Sequence, residues 1–306
     1  MTLLETLSDR QLLVVTGKGG VGKSTFSAVL GRMMAERGRG MLLLELDPRE
    51  SLHQLCGTAP SGGEIVEVGP RMWLQNLQPE RVVEQIVRAQ LRLDLIADRV
   101  VSSEIYRHFV AGAPGLKEMA VLHHAVSTVS HPPETGAARK IDQIVLDAPA
   151  TGHGVSLLEA PLLVSEIIRD GPFGRMSGEI AGFVADATRC AVIAVTVAEE
   201  MPVQELIDLD VALRARFGRG PQLAIVNGLY PALEAAAPDD EPTPEELALD
   251  ELWRRRRAVN ESELATLKGS WNSPLVELPL LPLEGGPQLL GVLQDQLSAA
   301  LERVVV

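Results

Sequence analysis

The sequence has 306 residues and a net charge of −13, from 28 lysine and arginine residues against 41 aspartate and glutamate residues. Hydrophobic residues make up 46% of the chain, enough for the core of one large domain or two average ones. The acidic balance argues against unspecific binding of nucleic acid, which needs a basic surface. The longest nearly uninterrupted apolar stretch, 190–198, is about half of the ~20 residues that a membrane helix needs, so direct membrane insertion is not expected.

The beginning of the sequence and its cysteines indicate the compartment. Glu5 precedes the first basic residue, Arg10, so no secretory signal is expected. The two cysteines, Cys56 and Cys190, are far apart and form no CxxC pair, which argues against a disulfide framework and against a cysteine zinc site. We therefore expect a soluble, cytoplasmic protein.

Solid apolar runs of strand length recur along the chain. Runs without polar alternation are typical of parallel strands buried on both faces of a sheet. Between the first two runs the sequence predicts one helix, from Ser24 to about Arg37, which stops at Gly38. This βαβ unit predicts an α/β fold with a doubly wound, mainly parallel sheet flanked by helices. The runs are Leu12–Thr16, Met41–Leu46, Ile141–Leu146, Ala191–Val197 and Leu223–Val226.

A helical insertion of about 79–133 separates the second and third runs. Apolar residues from Val82 to Val100 recur at alternating spacings of four and three, which predicts one amphipathic helix. A second helix is predicted from Leu116 to Val129, and a short helical segment follows at about 156–188. Packing in the core is the favoured interpretation of these apolar faces, and a groove for a hydrophobic client is the alternative.

Two charged features lie in the C-terminal part. A proline-rich acidic loop, 235–246, precedes a charged helix over Glu245–Lys268, which contains four consecutive arginines at 254–257. Acidic residues one or two turns earlier favour i,i+4 ion pairs over a patch for phosphate or lipid. The last segment, Leu289–Val306, has apolar residues every fourth position but only one base, so we expect it to pack on its own domain.

A glycine-rich motif follows the first predicted strand. Residues 17–24 satisfy G-x-x-x-x-G-K-[ST], in which backbone N–H groups and a helix N-terminus bind phosphate oxygens. Lys23 is expected to reach the β- and γ-phosphates of ATP, and the Ser24 hydroxyl to bind Mg²⁺. The sequence therefore predicts a single P-loop ATPase domain over 1–306. Its predicted loop residues are Gly17, Lys18, Gly19, Gly20, Val21, Gly22, Lys23, Ser24 and Thr25.

Lys18 makes this loop, GKGGVGKST, a deviant Walker A signature. With it, the sequence resembles the ArsA-like, anion-transporting ATPase family, which includes the arsenite-pump ATPase and the ATPase that targets tail-anchored membrane proteins. LLLELDPRESL is similar to the switch I segment of that family, and VLDAPATGHG to its switch II segment. LAIVNG and ELPLLPLEGGPQLLGVL are similar to the adenine-side strand and its proline-containing loop, and VAEEMPVQEL resembles a bacterial branch.

The resemblance implies roles for the acidic residues. Asp47 is similar to the carboxylate that orients or activates the attacking water and lies beside the metal, although an Asp before Pro48 also caps turns. Asp147 is similar to the Walker B acid, so that Ser24, Asp47 and Asp147 form the implied Mg²⁺ site. The segment 150–153 is similar to a switch that senses the γ-phosphate.

The resemblance also implies roles for three other residues. Lys18 is expected to cross a dimer interface and to act in catalysis with Lys23 and Asp47, and the alternative is a lysine that only faces solvent. Asn227 and the loop with Pro279 are expected to bind the adenine side, although Asn227 before Gly228 also suits a turn. No N-K-x-D or T-K-x-D motif appears, so ATP is favoured over GTP.

The sequence departs from the family pattern in three places. Switch I reads DPRES where family members commonly have DPAHS, so that Arg49 and Glu50 replace a small residue and a histidine. The zinc-binding CxxC of the targeting ATPase and the arsenite-binding cysteines of the pump are missing. Arsenite pumping is therefore not expected.

These observations predict a Mg²⁺-dependent ATPase that dimerises around ATP and couples hydrolysis to a conformational switch. The dimer would be a homodimer or a heterodimer with a paralogous ATPase, and the client a hydrophobic or membrane protein. A spatial organiser similar to MinD or ParA, which binds membrane or DNA, is one alternative. A catalytically weak, nucleotide-sensing subunit of a heterodimer is another. A reductase similar to the nitrogenase iron protein is rejected, because it needs cluster-binding cysteines at the dimer face.

Overall fold

The computed structural model describes residues 1–91, 94–130, 140–149, 153–167, 170–233 and 243–305. Within these residues the strands are β1 (Leu12–Thr16), β2 (Met41–Glu45), β3 (Val66–Gly69), β4 (Met72–Asn76), β5 (Gln143–Asp147), β6 (Cys190–Val197), β7 (Leu223–Leu229) and β8 (Leu275–Pro279). The helices of the N-terminal half are α1 (Leu3–Ser8), α2 (Lys23–Glu36), α3 (Ser51–Cys56), α4 (Pro79–Leu91), α5 (Asp94–Val101), α6 (Glu104–Gly112) and α7 (Leu116–Ser130). Those of the C-terminal half are α8 (His153–Ile167), α9 (Gly171–Ala185), α10 (Glu200–Phe217), α11 (Pro244–Ser270) and α12 (Pro287–Arg303).

The strands form one sheet in the order β3-β4-β2-β5-β1-β6-β7-β8. Every neighbouring pair is parallel except the β3–β4 hairpin at one edge. β1, β2 and β5 are buried at every position, as solid apolar runs predict. The predicted α/β class with a mainly parallel sheet is confirmed.

Helices cover both faces of this sheet. Because successive strand residues point to opposite faces, Leu12 and Val14 pack with the core of α4, α7, α8, α9 and α10. Leu13 and Val15 pack with the core of α1, α2 and α12 on the other face. The central strands are therefore fixed from both sides, and their carboxyl ends are held in register for a binding site.

Several predicted helices are confirmed. α2, α7 and α11 lie where the sequence places them, and α12 packs on its own domain through α1 and α2. In the apolar segment of α8 and α9, Leu157, Leu158, Ile180 and Phe183 are buried, which confirms core packing there. The four arginines of α11 pair with carboxylates: Arg254 with Asp250, Arg255 with Glu251, Arg256 with Glu199 and Arg257 with Glu261.

Other expectations are met only in part. The helix predicted from Val82 to Val100 is helical in its described parts, which are α4 up to Leu91 and α5 from Asp94, and residues 92 and 93 lie outside the described residues. The strands β3, β4 and β8 had no predicted counterpart, and β7 continues past its predicted end at Val226 to Leu229. Most of the acidic loop, 234–242, and the switch residues 150–152 lie outside the described residues.

Candidate nucleotide-binding site

The glycine-rich loop joins β1 to α2 at the carboxyl end of the central strand. Gly17 has φ +150°, and a Cβ atom there would lie 2.0 Å from the carbonyl oxygen of Val195 in β6. Gly22 has φ +105°, and a Cβ atom would lie 2.8 Å from Nδ2 of Asn227. Only glycine combines these backbone angles with such close approach. The loop is thus pressed against two neighbouring strands, which fixes its path.

The start of α2 leaves hydrogen-bond donors available. Gly22 is the N-cap residue and supplies no side-chain cap. The first backbone N–H groups of a helix have no partner within the helix, and they carry the positive end of its dipole. An anion such as a phosphate group is the partner that such a helix start favours.

The loop forms one wall of a cavity of about 860 Å³. The other walls come from the segment after β2, from α3, from the segment after β5, and from a glycine pair before α12. A crevice at the carboxyl ends of parallel strands is where open α/β sheets bind ligands. The lining residues are Gly19, Gly20, Gly22, Lys23, Ser24, Thr25, Leu46, Asp47, Pro48, Arg49, Ser51, Gln54, Leu55, Asp147, Ala148, Pro149, Gly285 and Gly286.

Lys23 supplies a positive charge to this cavity. Its ammonium group donates to the carbonyl oxygen of Lys18, 3.0 Å away, and so closes the loop on itself. Burial lowers the pKa of Lys23, and the carboxylates of Asp147 and Asp47 oppose that shift. The cation is therefore tied to the loop and lies within electrostatic reach of two acidic side chains that line the same cavity.

Asp147 ends β5 and is 7% exposed. The Ser24 hydroxyl donates to its Oδ2 at 2.6 Å, and the Ser27 hydroxyl to its Oδ1 at 3.2 Å. Burial raises the pKa of Asp147 to about 6, although the hydrogen bond from Ser24 opposes the shift. A serine hydroxyl and a carboxylate side by side are oxygen donors of the kind that Mg²⁺ prefers, so the residues present fit the implied ion.

Asp47 follows β2 and faces the same cavity. Its Oδ1 accepts the backbone N–H of Arg49 at 2.9 Å, and its Oδ2 accepts the Ser51 hydroxyl at 3.3 Å. The side-chain amide of Asn76 donates to the Asp47 carbonyl oxygen at 2.7 Å. The carboxylate thus caps the turn, as the alternative interpretation proposed, and it also lines the cavity, as the catalytic interpretation requires.

Lys18, Asn227 and Pro279 are not among the described residues that line the cavity. The Lys18 ammonium lies 3.6 Å from Oε1 of Glu205 in α10. Asn227 is an internal residue of β7. Its amide donates to the Val21 carbonyl oxygen at 3.0 Å and so stabilises the conformation of the glycine-rich loop. Pro279 is the last residue of β8, so the first part of the predicted proline-containing loop is a strand.

The sequence did not single out several residues that the fold brings to the site. Ser27 lies three positions after Ser24, and that helical spacing is a local signal for a shared face. Gln54 lines the cavity from α3. Gly285 and Gly286 lie within the segment that suggested an adenine-side loop, but no local pattern shows that they reach the phosphate-loop cavity.

The sequence model of the family described as Anion-transporting ATPase matches residues 10–171, more than half of the chain. The ATPase BagA of Mycobacterium tuberculosis is 29% identical over 209 residues, which cover 66% of this chain and 60% of that protein. An arsenical pump-driving ATPase of Escherichia coli is 27% identical over 258 residues, which cover 76% of this chain and 42% of that protein. A putative arsenical pump-driving ATPase of Halobacterium salinarum is 23% identical, covering 96% of this chain and 45% of its own length.

The chain thus spans about 60% of the length of the mycobacterial relative and less than half of the length of the pump-driving ones. The matched region contains the glycine-rich loop, the segment after β2 and the segment after β5. Among the described helices, none combines the length and the apolar character that a membrane crossing needs.

Proposed function

The chain belongs to the anion-transporting ATPase family, and from that premise we propose that it hydrolyses ATP in the cavity between β1, β2 and β5. The observation that carries the proposal is the convergence of Lys23, Ser24, Asp47 and Asp147 on this one cavity. They come from three separate segments, each at the carboxyl end of a strand. That arrangement provides a phosphate cradle, a metal site and an acidic group for a water molecule.

Each residue has a distinct part in the proposed reaction. The N–H groups of the loop and the Lys23 ammonium bind and neutralise the phosphates, since phosphoryl transfer depends mainly on positioning and charge. Ser24 and Asp147 would hold Mg²⁺, with Asp47 nearby, and the ion supplies positive charge against phosphate oxygens. The Asp47 oxygen that accepts the longer, 3.3 Å bond from Ser51 is the one suited to orient water.

We further propose that ATP binding joins two chains face to face. Lys18 supports this proposal, because its ammonium group lies at Glu205 rather than in the cavity of its own chain. Its side chain is 30% exposed and sits at the edge of the phosphate loop. In a dimer, the ammonium group would leave Glu205 and complete the site of the partner, which is an identical chain or a paralogous ATPase.

The test is phosphate release from Mg·ATP as a function of protein concentration, for wild type and Lys18→Ala. Lys140→Ala, which removes a lysine that is 81% exposed, is the matched control. We expect the rate per chain to rise with concentration, to fall sharply in Lys18→Ala and to stay unchanged in Lys140→Ala. A concentration-independent rate that Lys18→Ala leaves intact would refute the dimer.

A different result would favour a paralogous partner or a nucleotide-sensing subunit. In that case wild type binds ATP but does not hydrolyse it alone. A spatial organiser similar to MinD gains no support from the last helix, because the apolar face of α12 is buried on its own domain through Leu290, Leu293, Leu297 and Leu301. Binding to liposomes or DNA in the presence of ATP would nevertheless favour that alternative.

The client is the remaining part of the proposal: a hydrophobic or membrane protein, handled in the cytoplasm. Leu163 in α8 is 39% exposed, whereas most other apolar residues of α8 and α9 are buried or pack against the core. α8 begins directly after residues 150–152 of the switch segment, so a nucleotide-dependent movement of that segment would reach this helix first. Limited proteolysis of 153–185 with and without Mg·ATP tests the idea, and an unchanged cleavage pattern would contradict it.

A further inference from the structure

A cluster of three side chains lies around α3, and none of the three lines the nucleotide cavity. Glu45 comes from the end of β2, Glu50 is the N-cap residue of α3, and His53 lies within α3. One ligand atom from each lies within 4.8 Å of the other two. His53 Nε2 is 3.6 Å from Glu50 Oε2 and 3.9 Å from Glu45 Oε1.

Two atoms of this cluster are buried without a hydrogen-bond partner among the described residues. They are Glu45 Oε1, on a side chain that is 0% exposed, and His53 Nε2, on a side chain that is 1% exposed. A buried polar atom without a partner is costly. The two atoms lie 3.9 Å apart, farther than a hydrogen bond reaches, so a third group that binds both would satisfy them.

Backbone N–H groups hold both carboxylates of the cluster in place. Glu45 Oε2 accepts the backbone N–H of Leu52 at 2.8 Å, which ties the carboxylate to the start of α3. Glu50 Oε2 accepts the backbone N–H of Ser61 at 3.2 Å. Both carboxylates are therefore oriented by the protein, as the carboxylates of metal sites usually are.

His53 has a polar neighbour at its other ring nitrogen. Nδ1 lies 3.1 Å from the Thr58 hydroxyl oxygen, and that hydroxyl donates to the His53 carbonyl oxygen at 3.4 Å. In the tautomer with its proton on Nδ1, the ring donates to Thr58, and Nε2 presents a lone pair to the two carboxylates. A histidine that donates one ring N–H and offers the other nitrogen is arranged as metal-bound histidines are.

We propose that Glu45, Glu50 and His53 form a binding site for a divalent first-row transition metal ion, with Zn²⁺ as the best-suited occupant. Zn–N and Zn–O bonds of about 2.0–2.2 Å place tetrahedral ligand atoms about 3.4 Å apart. The observed separations of 3.6 and 3.9 Å need only a small contraction to reach that value. Glu50, whose side chain is 21% exposed, opens the cluster to solvent and to a water molecule as fourth ligand.

The backbone of Glu50 adds to the argument. Glu50 has φ +53°, a left-handed conformation that a residue other than glycine or asparagine adopts at a cost. This conformation directs its side chain toward His53 and Ser61. Strain of this kind persists where the surrounding structure holds it, and it is found at functional sites.

The test is metal binding by the full-length, chelator-treated protein, in excess Mg²⁺ so that the nucleotide cavity does not compete. Zn²⁺ stoichiometry after desalting is measured by mass spectrometry, and Co²⁺ is used as a probe for absorption bands. We expect wild type to bind one Zn²⁺ per chain. The affinity for Zn²⁺ is expected to fall by at least about 100-fold in His53→Gln and in Glu50→Gln, since each variant removes a ligand. Thr58→Val removes the hydroxyl that contacts Nδ1 and that donates to the His53 carbonyl oxygen, and it is expected to weaken Zn²⁺ binding about 10–100-fold.

Two control variants separate this site from other ligands. His108→Gln removes an exposed histidine elsewhere, and Cys56→Ser removes the thiol one turn after His53. Both are expected to keep one Zn²⁺. The proposal is overturned if Glu50→Gln binds Zn²⁺ as wild type does, or if folded wild type binds no Zn²⁺. If His53→Gln does not fold, the result for Glu50→Gln decides whether the site exists. The measurement does not depend on ATP hydrolysis.

Discussion

The path of the phosphate loop depends on one glycine, and Gly17→Ala is the sharpest test of that dependence. The added Cβ atom would lie 2.0 Å from the carbonyl oxygen of Val195, a backbone atom of the buried strand β6. It would also force an L residue into φ +150°, a region essentially restricted to glycine. Since β6 is buried and paired on both sides, the loop has to move instead of the strand.

The expected size of the effect follows from these two terms. Backbone strain of this kind costs about 1–3 kcal/mol, and overpacking against a fixed group typically costs a further 1–3 kcal/mol or so. We therefore expect Gly17→Ala to lower the free energy of unfolding by about 2–6 kcal/mol. A loop displaced by about 1 Å also loses nucleotide affinity or rate by as much as 100-fold or so.

The same loop supplies the control. Gly20 also has a positive φ, +84°, but a Cβ atom there meets nothing within 4 Å. Gly20→Ala is expected to cost only the left-handed strain, about 1–2 kcal/mol. Urea denaturation followed by circular dichroism measures stability, and titration with a fluorescent ADP analogue measures affinity. The reasoning is refuted where the two variants have equal stability and Gly17→Ala binds nucleotide as wild type does.

Three further predictions concern the metal-binding pair, pH and the last helix. Ser24→Ala is expected to abolish Mg²⁺-dependent phosphate release. Ser27→Ala removes the longer hydrogen bond to the same carboxylate and is expected to slow the release less than about tenfold. Equal losses in the two variants would contradict the metal-binding role given to Ser24 alone. Burial lowers the pKa of His124 to about 4, so the unfolded chain binds its proton near pH 6.5 and the folded chain only near 4. This contribution to stability is present above pH 6.5 and is lost as the pH falls from 6.5 towards 4, by about 1.4 kcal/mol per pH unit. Urea denaturation of wild type at a series of pH values measures the loss, and His124→Gln is expected to show a shallower pH dependence. Leu297→Ala, at a fully buried position of α12, is expected to lower the unfolding free energy by about 2–5 kcal/mol; Val305→Ala, at a position that is 77% exposed, should change it by less than about 0.5 kcal/mol, and equal effects would contradict the packing of α12.

The sheet was predictable at its centre and not at its edges. Each of the strands β1, β2, β5, β6 and β7 contains a run of three or more consecutive apolar residues, because both faces of a central parallel strand are covered. β8 alternates between buried and exposed positions and ends in a proline, which is typical of an edge strand but too short a pattern to identify one. β4 is buried yet carries Gln75 and Asn76, whose amides bond to backbone carbonyl groups of neighbouring loops. The sequence of β4 alone does not predict these hydrogen bonds, because their acceptors lie in loops that only the fold brings next to the strand.

The site divides in the same way. Lys23 and Ser24 were predictable because the loop motif is local, and Asp47 and Asp147 because each follows a recognisable strand. Gly286 comes from a segment more than a hundred residues downstream of these groups, and only the packing of α12 against α2 brings it to the cavity. Asn227 shows the opposite case. Its position in the chain suggested an adenine contact or a turn, whereas the structure engages its amide with the carbonyl oxygen of Val21.

α3 connects the two proposed sites. Ser51, Gln54 and Leu55 line the nucleotide cavity, while His53 is buried beside Glu45 and Glu50 and does not line it. The DPRES sequence therefore has a physical consequence: Glu50, which stands where the family commonly has histidine, supplies a carboxylate to the buried cluster while Asp47 keeps its place in the cavity. A ligand that fixes Glu50 also fixes the turn that positions Asp47, because Glu50 donates its backbone N–H to the Asp47 carbonyl oxygen at 3.0 Å. Coupling of this kind is reciprocal, so a metal ion that changes nucleotide affinity has its own affinity changed by nucleotide by the same factor.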